Sequence, residues 1–467
     1  MTVIQDLLVL PGTGANYHED LSALQAETVA EGGEVVREVA EAVLVGLVLG
    51  DGRVAWGDCV GMVPGGKVKA WPAFRTAAGM TSILDIVKPF LVGQTLDFRE
   101  LSADIETLTE VVEEQRPVAP DEDGDGTKTE NDGVENAGRR ALLTAAARLL
   151  TPFPISPDED EADQKTSEAV PMETVQVVRP LHPAVRYGVT QALLLAESMV
   201  RGISMSEVIA DEWGLPRPTK PVPIHAQCGA ERHLSVDRMI LRRVASLPGA
   251  LVDNISEQMG TEGNKLPRYV RWIRQRIREL GDSDYKPFIH IDLDGALGEV
   301  FGDRRGPILA QIYTTEYEAK PYLVRLVDPI VEESLEAQIE ALKKLRRSVM
   351  LRGMSLKLVI GEWANSLDDI QAFINAGVAD VIHIKMPILG AVSNSIEAVL
   401  KCRSQGVEAY LGGSPAEPDL AARVSAHVAL ATRPDYVLAK PGTGVDEAVS
   451  LTQNEMARTL AWIRARS

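Results

Sequence analysis

The chain has 467 residues, of which 45% are hydrophobic and 25% charged, and its formal net charge is −19. This composition is typical of a folded globular protein and excludes collagen-like, coiled-coil and wholly disordered chains. A protein this acidic lacks the basic surface that nucleic-acid binding needs. The cysteines Cys59, Cys228 and Cys402 lie far apart in sequence. They predict neither a disulfide framework nor a zinc site, and we expect a reducing cytoplasm.

The N-terminal region predicts β-structure and no targeting or membrane segment. The apolar run Leu7–Leu10 has no basic residue before it, so we expect a first strand rather than a signal peptide. No apolar run approaches the ~20 residues of a membrane span, and no membrane partner is predicted. The runs Ala42–Leu49 and Val54–Val60, joined through Asp51 and Gly52, predict a β-hairpin with a tight turn.

Much of the acidic charge is concentrated in one segment. Between Asp121 and Glu168 there are 13 acidic and 5 basic residues. Pro, Gly and Ser surround these charges, which predicts a solvated insertion at about residues 119–170, with a partner-binding acidic segment as the alternative. Helical periodicity follows in Tyr187–Met199 and Ser204–Trp213. We therefore expect an N-terminal α+β domain over residues 1–216 that carries the insertion and ends in a Pro-rich linker.

Residues 217–467 alternate between short apolar runs and helical patterns. The runs are Val222–Ala226, Ala250–Asn254, Phe288–Asp292, Tyr322–Asp328, Lys357–Gly361, Val381–Lys385, Glu408–Gly412 and Tyr436–Ala439. Eight such repeats predict an α/β fold, a (β/α)8 barrel of the TIM type, followed by a C-terminal helix. A doubly wound open sheet is the alternative, but no Gly-rich phosphate loop follows the first run.

In such a barrel the catalytic residues lie at the C-terminal ends of the strands. The residues at or near those ends are Gln227, Asn254, Asp292, Asp328 or Glu332, Glu362, Lys385, Ser414 and Lys440. The third to fifth strands thus end in acids and the sixth in a lysine. Converging carboxylates repel one another unless a hard cation such as Mg²⁺ lies among them, and a lysine beside that cation is a usable base. For any single one of these residues, a solvated acid or a salt bridge is the alternative.

Several motifs together resemble the methylaspartate ammonia-lyase family of the enolase superfamily. They are LPGTGANY at Leu10, DGRVAWGDC at Asp51, AVRYGVTQALL at Ala184, VPIHAQCGAERH at Val222, KLPRYVRWIRQRI at Lys265, PFIHIDLDG at Pro287, HIKMPILG at His383, YLGGS at Tyr410 and VLAKPGTGVDE at Val437. The resemblance implies a TIM-type barrel with an α+β capping domain, a homodimer, and Mg²⁺ held by three acids. It also implies a lysine that removes the C3 proton of 3-methylaspartate, after which ammonia leaves to give mesaconate. The acidic insertion is what the family lacks.

The resemblance assigns roles to individual residues. Asp292 matches the first metal ligand, Lys385 the base and Gln227 a substrate-binding glutamine, while Leu438 falls in the substrate pocket. Ser414 keeps the hydroxyl of a substrate-binding threonine, although the cysteine that follows it in the family is here Pro415.

Two catalytic positions depart from the family pattern. The second catalytic residue of the family, a histidine on strand two, is here Gly249, so catalysis on the opposite stereoface should be lost. The glutamine two residues before the base is His383, which could act as acid, base or carboxylate binder, or could only orient Lys385.

The other two metal ligands are displaced by one residue. Aligned without gaps, their positions fall on Val327 and Gly361, whereas Asp328 and Glu362 follow immediately. We expect Asp292, Asp328 and Glu362 to hold Mg²⁺, although adjacent residues on a strand point to opposite faces, which makes Glu362 the weaker candidate.

Two functions follow from these residues. The first is a carbon–nitrogen lyase, or a related proton-abstraction enzyme, acting on an amino dicarboxylate or similar acid, with a pocket changed for another substrate or stereochemistry. The second is a non-catalytic binding or regulatory member of the family. The retention of Lys385, Asp292 and Gln227 favours the enzyme. Gly412 and Gly413 could cradle an anion or permit a tight turn, and His225 and His290 are expected as barrel residues.

Overall fold

The computed structural model describes residues 2–19, 37–61, 71–117, 172–228, 232–252, 254–414, 416–439 and 444–466. The internal contacts divide the chain into two units, one of Met1–Glu110 with Pro180–Ser467 and one of Val111–Arg179. The predicted acidic insertion lies outside the described residues. The second unit contributes most of a two-stranded sheet of β4 (Thr109–Pro117) and β5 (Met172–Pro180).

The N-terminal part of the first unit contains an antiparallel sheet. Its strands are β1 (Ile4–Glu19), β2 (Arg37–Leu49) and β3 (Val54–Val60), in that order. The predicted first strand and hairpin are confirmed, and Gly52 takes the positive φ of 83° that the tight turn requires. Helices α1 (Thr76–Ser82), α2 (Lys88–Leu91), α3 (Phe98–Thr107), α4 (Pro183–Arg201) and α5 (Met205–Glu212) complete this part, with a π-helical turn at Ile83–Val87.

Eight parallel strands close into a barrel. They are β6 (Ile224–His225), β7 (Ser246–Leu251), β8 (Phe288–Asp292), β9 (Val324–Val327), β10 (Leu356–Ile360), β11 (Val381–Lys385), β12 (Glu408–Gly412) and β13 (Tyr436–Leu438). Their order around the barrel is β10-β11-β12-β13-β6-β7-β8-β9. The prediction of a (β/α)8 barrel is confirmed, and the open-sheet alternative is wrong.

Helices follow the strands along the outside of the barrel. They are α6 (Arg232–Leu241), α7 (Ile255–Gln258), α8 (Lys265–Leu280), α9 (Ala296–Phe301), α10 (Arg305–Ala319), α11 (Leu335–Leu351), α12 (Leu367–Ala376), α13 (Met386–Leu389), α14 (Val392–Ser404), α15 (Asp419–Thr432) and the C-terminal α16 (Val445–Arg466). Within the described residues, no helix is long and apolar enough to cross a membrane. The three cysteines are free and buried.

The second strand begins earlier than its apolar run Ala250–Asn254 predicts. β7 begins at Ser246 and contains an irregularity between Pro248 and Ala250. Pro and Gly inside a strand hide its apolar pattern. Asn254 is not a strand-end residue of the site, because its side chain caps α7 by accepting a hydrogen bond from the Glu257 backbone N–H at 3.1 Å.

The N-terminal end of the barrel is filled by protein side chains. Arg325 is buried, with its guanidinium 4.1 Å from the ring centre of Phe288 and 4.0 Å from that of Tyr436. It pairs with Glu408 at 2.5 Å, and Lys357 pairs with the same carboxylate. These side chains fill the N-terminal end of the barrel. The predicted catalytic residues lie at the opposite, C-terminal end, which we call the mouth.

Candidate active site

Lys385 and Asp292 end two of the barrel strands at the mouth. Lys385 is the last residue of β11 and is buried, with 5% of its surface exposed. Asp292 is the last residue of β8, and His290, two residues earlier on the same face, contacts Tyr410 inside the barrel. Because side chains alternate along a strand, Asp292 faces the interior as well. The predicted base and the first predicted acid therefore lie at one end of the same interior.

Asp328 also reaches this mouth, by an unusual route. It follows β9 with a φ of 39°, in the left-handed region that residues other than glycine rarely adopt. Its carboxylate accepts hydrogen bonds from the backbone N–H groups of Gly361 at 3.0 Å and Glu362 at 2.9 Å. The carboxylate of Asp328, which follows β9, is thus held at the end of β10. Val327, just before it, packs inside the barrel against other apolar side chains.

The acids of the mouth raise one another's pKa. Burial raises the pKa of Asp292 well above its usual range, and the negative charges of Asp328, Asp294 and Glu362 raise it further. Burial also raises the pKa of Asp328 to about 6, although the N–H donors of Gly361 and Glu362 and the charge of Lys385 oppose the rise. A positively charged group entering this mouth would be favoured because it relieves the repulsion. Asp294 was not predicted as a site residue, although its place two residues after Asp292 was a signal.

The donor set does not fit a magnesium site as it is placed. Among the residues that the structure describes, no three His, Cys, Asp or Glu side chains form a group that could hold a metal ion. Val327 and Gly361 supply no ligand, and Glu362 follows Gly361 on a backbone whose successive side chains alternate. The assignment of Asp292, Asp328 and Glu362 as metal ligands therefore stays a prediction.

Position 249 has no room for a second base. β7 is four strands from β11 around the barrel, on the opposite wall. Gly249 has a φ of 57°, and a Cβ built on it would lie 2.8 Å from His225 Nε2 and 3.0 Å from Gln227 Cα. The His225 ring is held by Ser246, whose Oγ lies 2.9 Å from Nδ1. His225 is buried in the barrel, as predicted, and it fills the space where a side chain at 249 would begin.

His383 lies deeper in the barrel than Lys385, two residues earlier on β11. Its ring stacks on Tyr410 with 4.2 Å between ring centres, and a Cβ on Gly412 would lie only 2.3 Å from its Nε2. Burial lowers the pKa of His383 well below its usual range, and the charge of Lys385 lowers it further. This confinement favours the orienting role over the acid–base roles. Leu438 lies on β13 beside His225. It is buried in the apolar cluster inside the barrel that also contains Val327 and Tyr410.

Ser414 belongs to a buried hydrogen-bond network between the barrel and the N-terminal sheet. Its Oγ donates to the carbonyl oxygen of Gly61 at 3.0 Å, and its N–H donates to Glu417 Oε2 at 2.9 Å. Glu417 also accepts from the Tyr187 hydroxyl at 2.6 Å. A Cβ on Gly413 would lie 1.6 Å from Glu417 Oε2, so the missing side chain of Gly413 leaves the space that the Glu417 carboxylate occupies. Sequence reasoning missed Glu417 and Tyr187, because no local pattern marks this contact.

Three predicted residues remain to be located, namely Gln227, Glu332 and Lys440. Gln227 is half-buried after β6, beside Gly249 of the neighbouring strand β7. Glu332 lies in the segment after β9, where its backbone oxygen accepts from Trp363 Nε1 at 3.1 Å. Lys440 lies outside the described residues.

Comparison with known proteins decides the family. The C-terminal model of methylaspartate ammonia-lyase matches residues 217–465, and the N-terminal model matches residues 3–149 and 137–214. Methylaspartate ammonia-lyase 2 of Carboxydothermus hydrogenoformans is 34% identical and covers 99% of both chains. The chain belongs to the methylaspartate ammonia-lyase family. The enzyme of Clostridium tetanomorphum, 33% identical over 99% of both chains, is a further relative.

Solved structures of this lyase family share the fold. The magnesium complex of β-methylaspartase from Clostridium tetanomorphum has a TM-score of 0.77 at 31% identity and covers all of both chains. The Citrobacter amalonaticus lyase containing (2S,3S)-3-methylaspartic acid has a TM-score of 0.79 at 30% identity, covering 99% of this chain and 100% of that one. Muconate cycloisomerase from Pseudomonas fluorescens, at 14% identity and a TM-score of 0.53, shares the fold alone.

Proposed function

We propose that this member of the family is a carbon–nitrogen lyase that eliminates ammonia from 3-methylaspartate or a closely related amino acid, with Lys385 as the base. The observation that carries the proposal is the burial of Lys385 as the last residue of β11, at the mouth end of the barrel interior that Asp292 also faces. Family membership favours this enzyme over the non-catalytic alternative.

The proposed reaction needs one proton acceptor and an acidic mouth. Lys385 Nζ takes the C3 proton, the electron pair of the C–H bond moves towards the adjacent carboxylate, and the C2–N bond then breaks to release ammonia and leave a C2=C3 double bond. The mouth acids Asp292 and Asp328 would attract the substrate ammonium group. Gln227, Ser414 and Leu438 remain the predicted substrate-binding residues.

Proton removal is proposed from one face of the substrate only. Lys385 lies on one wall, and Gly249 on the opposite wall cannot carry a side chain beside His225. A substrate whose C3 proton faces away from Lys385 then has no base within reach. His383 is proposed to orient Lys385, because its ring is confined below it.

A homodimer, a capping domain at residues 1–216 and a cytoplasmic location complete the proposal, and Mg²⁺ stays a prediction. No step is assigned to the metal, because the described side chains do not form a ligand set for it. Activity with and without chelator tests the cofactor, and light scattering tests the dimer.

Ammonia release from (2S,3S)-3-methylaspartate and a panel of related amino acids tests the reaction. We expect release by the wild-type chain and its loss in Lys385→Ala. The matched control is Lys357→Ala, because Lys357 pairs with Glu408 at the far end of the barrel. If no amino acid yields ammonia, and Lys385→Ala changes nothing measurable, the lyase proposal fails and the non-catalytic alternative is favoured.

A further inference from the structure

The backbone at Asp328 directs its side chain sideways. Asp328 follows the last residue of β9, and its N–H bonds to the carbonyl oxygen of Val359 on the next strand at 3.0 Å. Its φ of 39° turns the residue away from the direction it would take by continuing the strand. The side chain is 98% buried, and its carboxylate crosses to the end of β10.

The carboxylate of Asp328 occupies the place of a side chain on Gly361. A Cβ built on Gly361 would lie 2.9 Å from Asp328 Oδ2, closer than real Cβ atoms approach a neighbour. The other neighbours of the same point, Val327 Cγ1 at 3.6 Å and His383 Nδ1 at 3.7 Å, are at ordinary contact distance. A side chain at 361 therefore requires Asp328 to shift, and the two backbone N–H groups that bond its carboxylate oppose that shift.

We propose that Asp328 and Gly361 have exchanged roles, so that Asp328 supplies from β9 the active-site carboxylate that position 361 on β10 would otherwise supply, and Gly361 makes room for it. The exchange deepens the proposed function and rests on it for its catalytic consequence. The exchange also implies that no other residue replaces the metal ligand that the family resemblance places at position 327. Val327 packs with Val359 and Val381, so no carboxylate enters the mouth from position 327.

A double-mutant cycle in the full chain tests whether the Asp328 carboxylate occupies the space of a side chain at position 361. We expect Gly361→Ala to lower Tm by about 3 °C or more in the wild-type chain, but by about 1 °C or less in Asp328→Gly. Gly306→Ala is the matched control, because a Cβ there meets nothing within 4 Å. Equal shifts in both backgrounds would overturn the exchange.

Moving the carboxylate tests the functional half. Asp328→Asn keeps an oxygen for the two backbone donors but removes the charge, so we expect unchanged Tm and a loss in kcat/KM of about 100-fold or more. The combination Asp328→Gly with Gly361→Asp returns a carboxylate to β10, and we expect it to recover kcat/KM to within about 10-fold of wild type. Calorimetric titration with Mg²⁺ alone should show the same loss and recovery of any metal affinity.

The outcomes separate this inference from the proposed function. A wild-type chain without lyase activity counts against the proposed function, while the Tm cycle still decides the exchange. Full activity in Asp328→Asn, or no recovery in a folded double variant, overturns the exchange even when the wild-type chain is an active lyase.

Discussion

The hydroxyl of Tyr187 donates a hydrogen bond of 2.6 Å to the carboxylate of Glu417, and both side chains are buried. Tyr187 lies on α4, and Glu417 lies in the turn after β12. The second carboxylate oxygen of Glu417 accepts the N–H of Ser414 at 2.9 Å. A tyrosine of the N-terminal part thus fixes the turn that carries a predicted substrate-binding residue.

Removing this hydroxyl should destabilise the chain. In Tyr187→Phe a buried carboxylate loses a donor, so we expect the free energy of unfolding to fall by about 1–3 kcal/mol. Tyr317→Phe, at a tyrosine that is 57% exposed, is the control and should change it by about 0.5 kcal/mol at most. Urea unfolding measures both, and equal effects would show that the Glu417 network contributes nothing.

Arg325 should matter for stability and not for chemistry. Its removal in Arg325→Met loses contacts with two aromatic rings and one partner of Glu408. We expect a cost of about 2–3 kcal/mol, below the full cost of breaking a buried ion pair, because Glu408 keeps Lys357. Activity per folded molecule should not change, because Arg325 lies at the closed end. The exposed Arg243→Met is the control, and a selective loss of activity in Arg325→Met would contradict this placement.

The buried histidines should make the fold sensitive to acid. Burial lowers the pKa of His225 to about 3, so in acid the unfolded chain binds a proton that the folded chain does not. Stability from this group is complete above pH 6.5 and is lost as pH falls towards 3. At pH 5 the loss should be about 2 kcal/mol. The groups around His225 include Ser246, His290, Arg325, His383 and Tyr410.

The variant His225→Phe isolates the contribution of His225 to the pH dependence of the unfolding free energy. His225→Phe keeps a ring in the barrel but cannot titrate, so its unfolding free energy should fall less between pH 7.5 and pH 5. The raised pKa values of Asp292 and Asp328 give the opposite slope, and they are present in both proteins. Urea unfolding at the two pH values gives the difference. Identical slopes would show that His225 is not held neutral.

Stereochemistry tests the absence of a base at position 249. We expect the two C3 epimers of 3-methylaspartate to differ in kcat/KM by about 100-fold or more, since a missing general base costs that much. Nuclear magnetic resonance of each reaction identifies the epimer consumed. Comparable turnover of both epimers would mean that a group other than Lys385 removes the C3 proton of the second epimer. His225 is the imidazole beside Gly249.

Sequence patterns predicted the barrel well where local rules decide structure. The bounds of β8, β11 and β12 agree with the predicted runs, because no proline and no internal glycine interrupts these strands. β7 was misplaced because Pro248 and Gly249 interrupt its pattern.

The site was harder to predict, because its geometry depends on contacts between distant residues. The turn of Asp328 towards Gly361 and the packing of Glu417 against Gly413 come from positive φ and missing Cβ atoms, not from periodicity. Family resemblance supplied the roles, but the one-residue shift after β9 could be interpreted only from the backbone.

The most direct test of the account is the conversion of 3-methylaspartate in D₂O, followed by nuclear magnetic resonance, by wild-type chain and Lys385→Ala. We predict that the wild-type chain forms mesaconate and ammonia, and that Lys385→Ala slows this by about 1,000-fold or more while methylamine restores part of the rate. Mesaconate formation by folded Lys385→Ala at the wild-type rate would contradict the account.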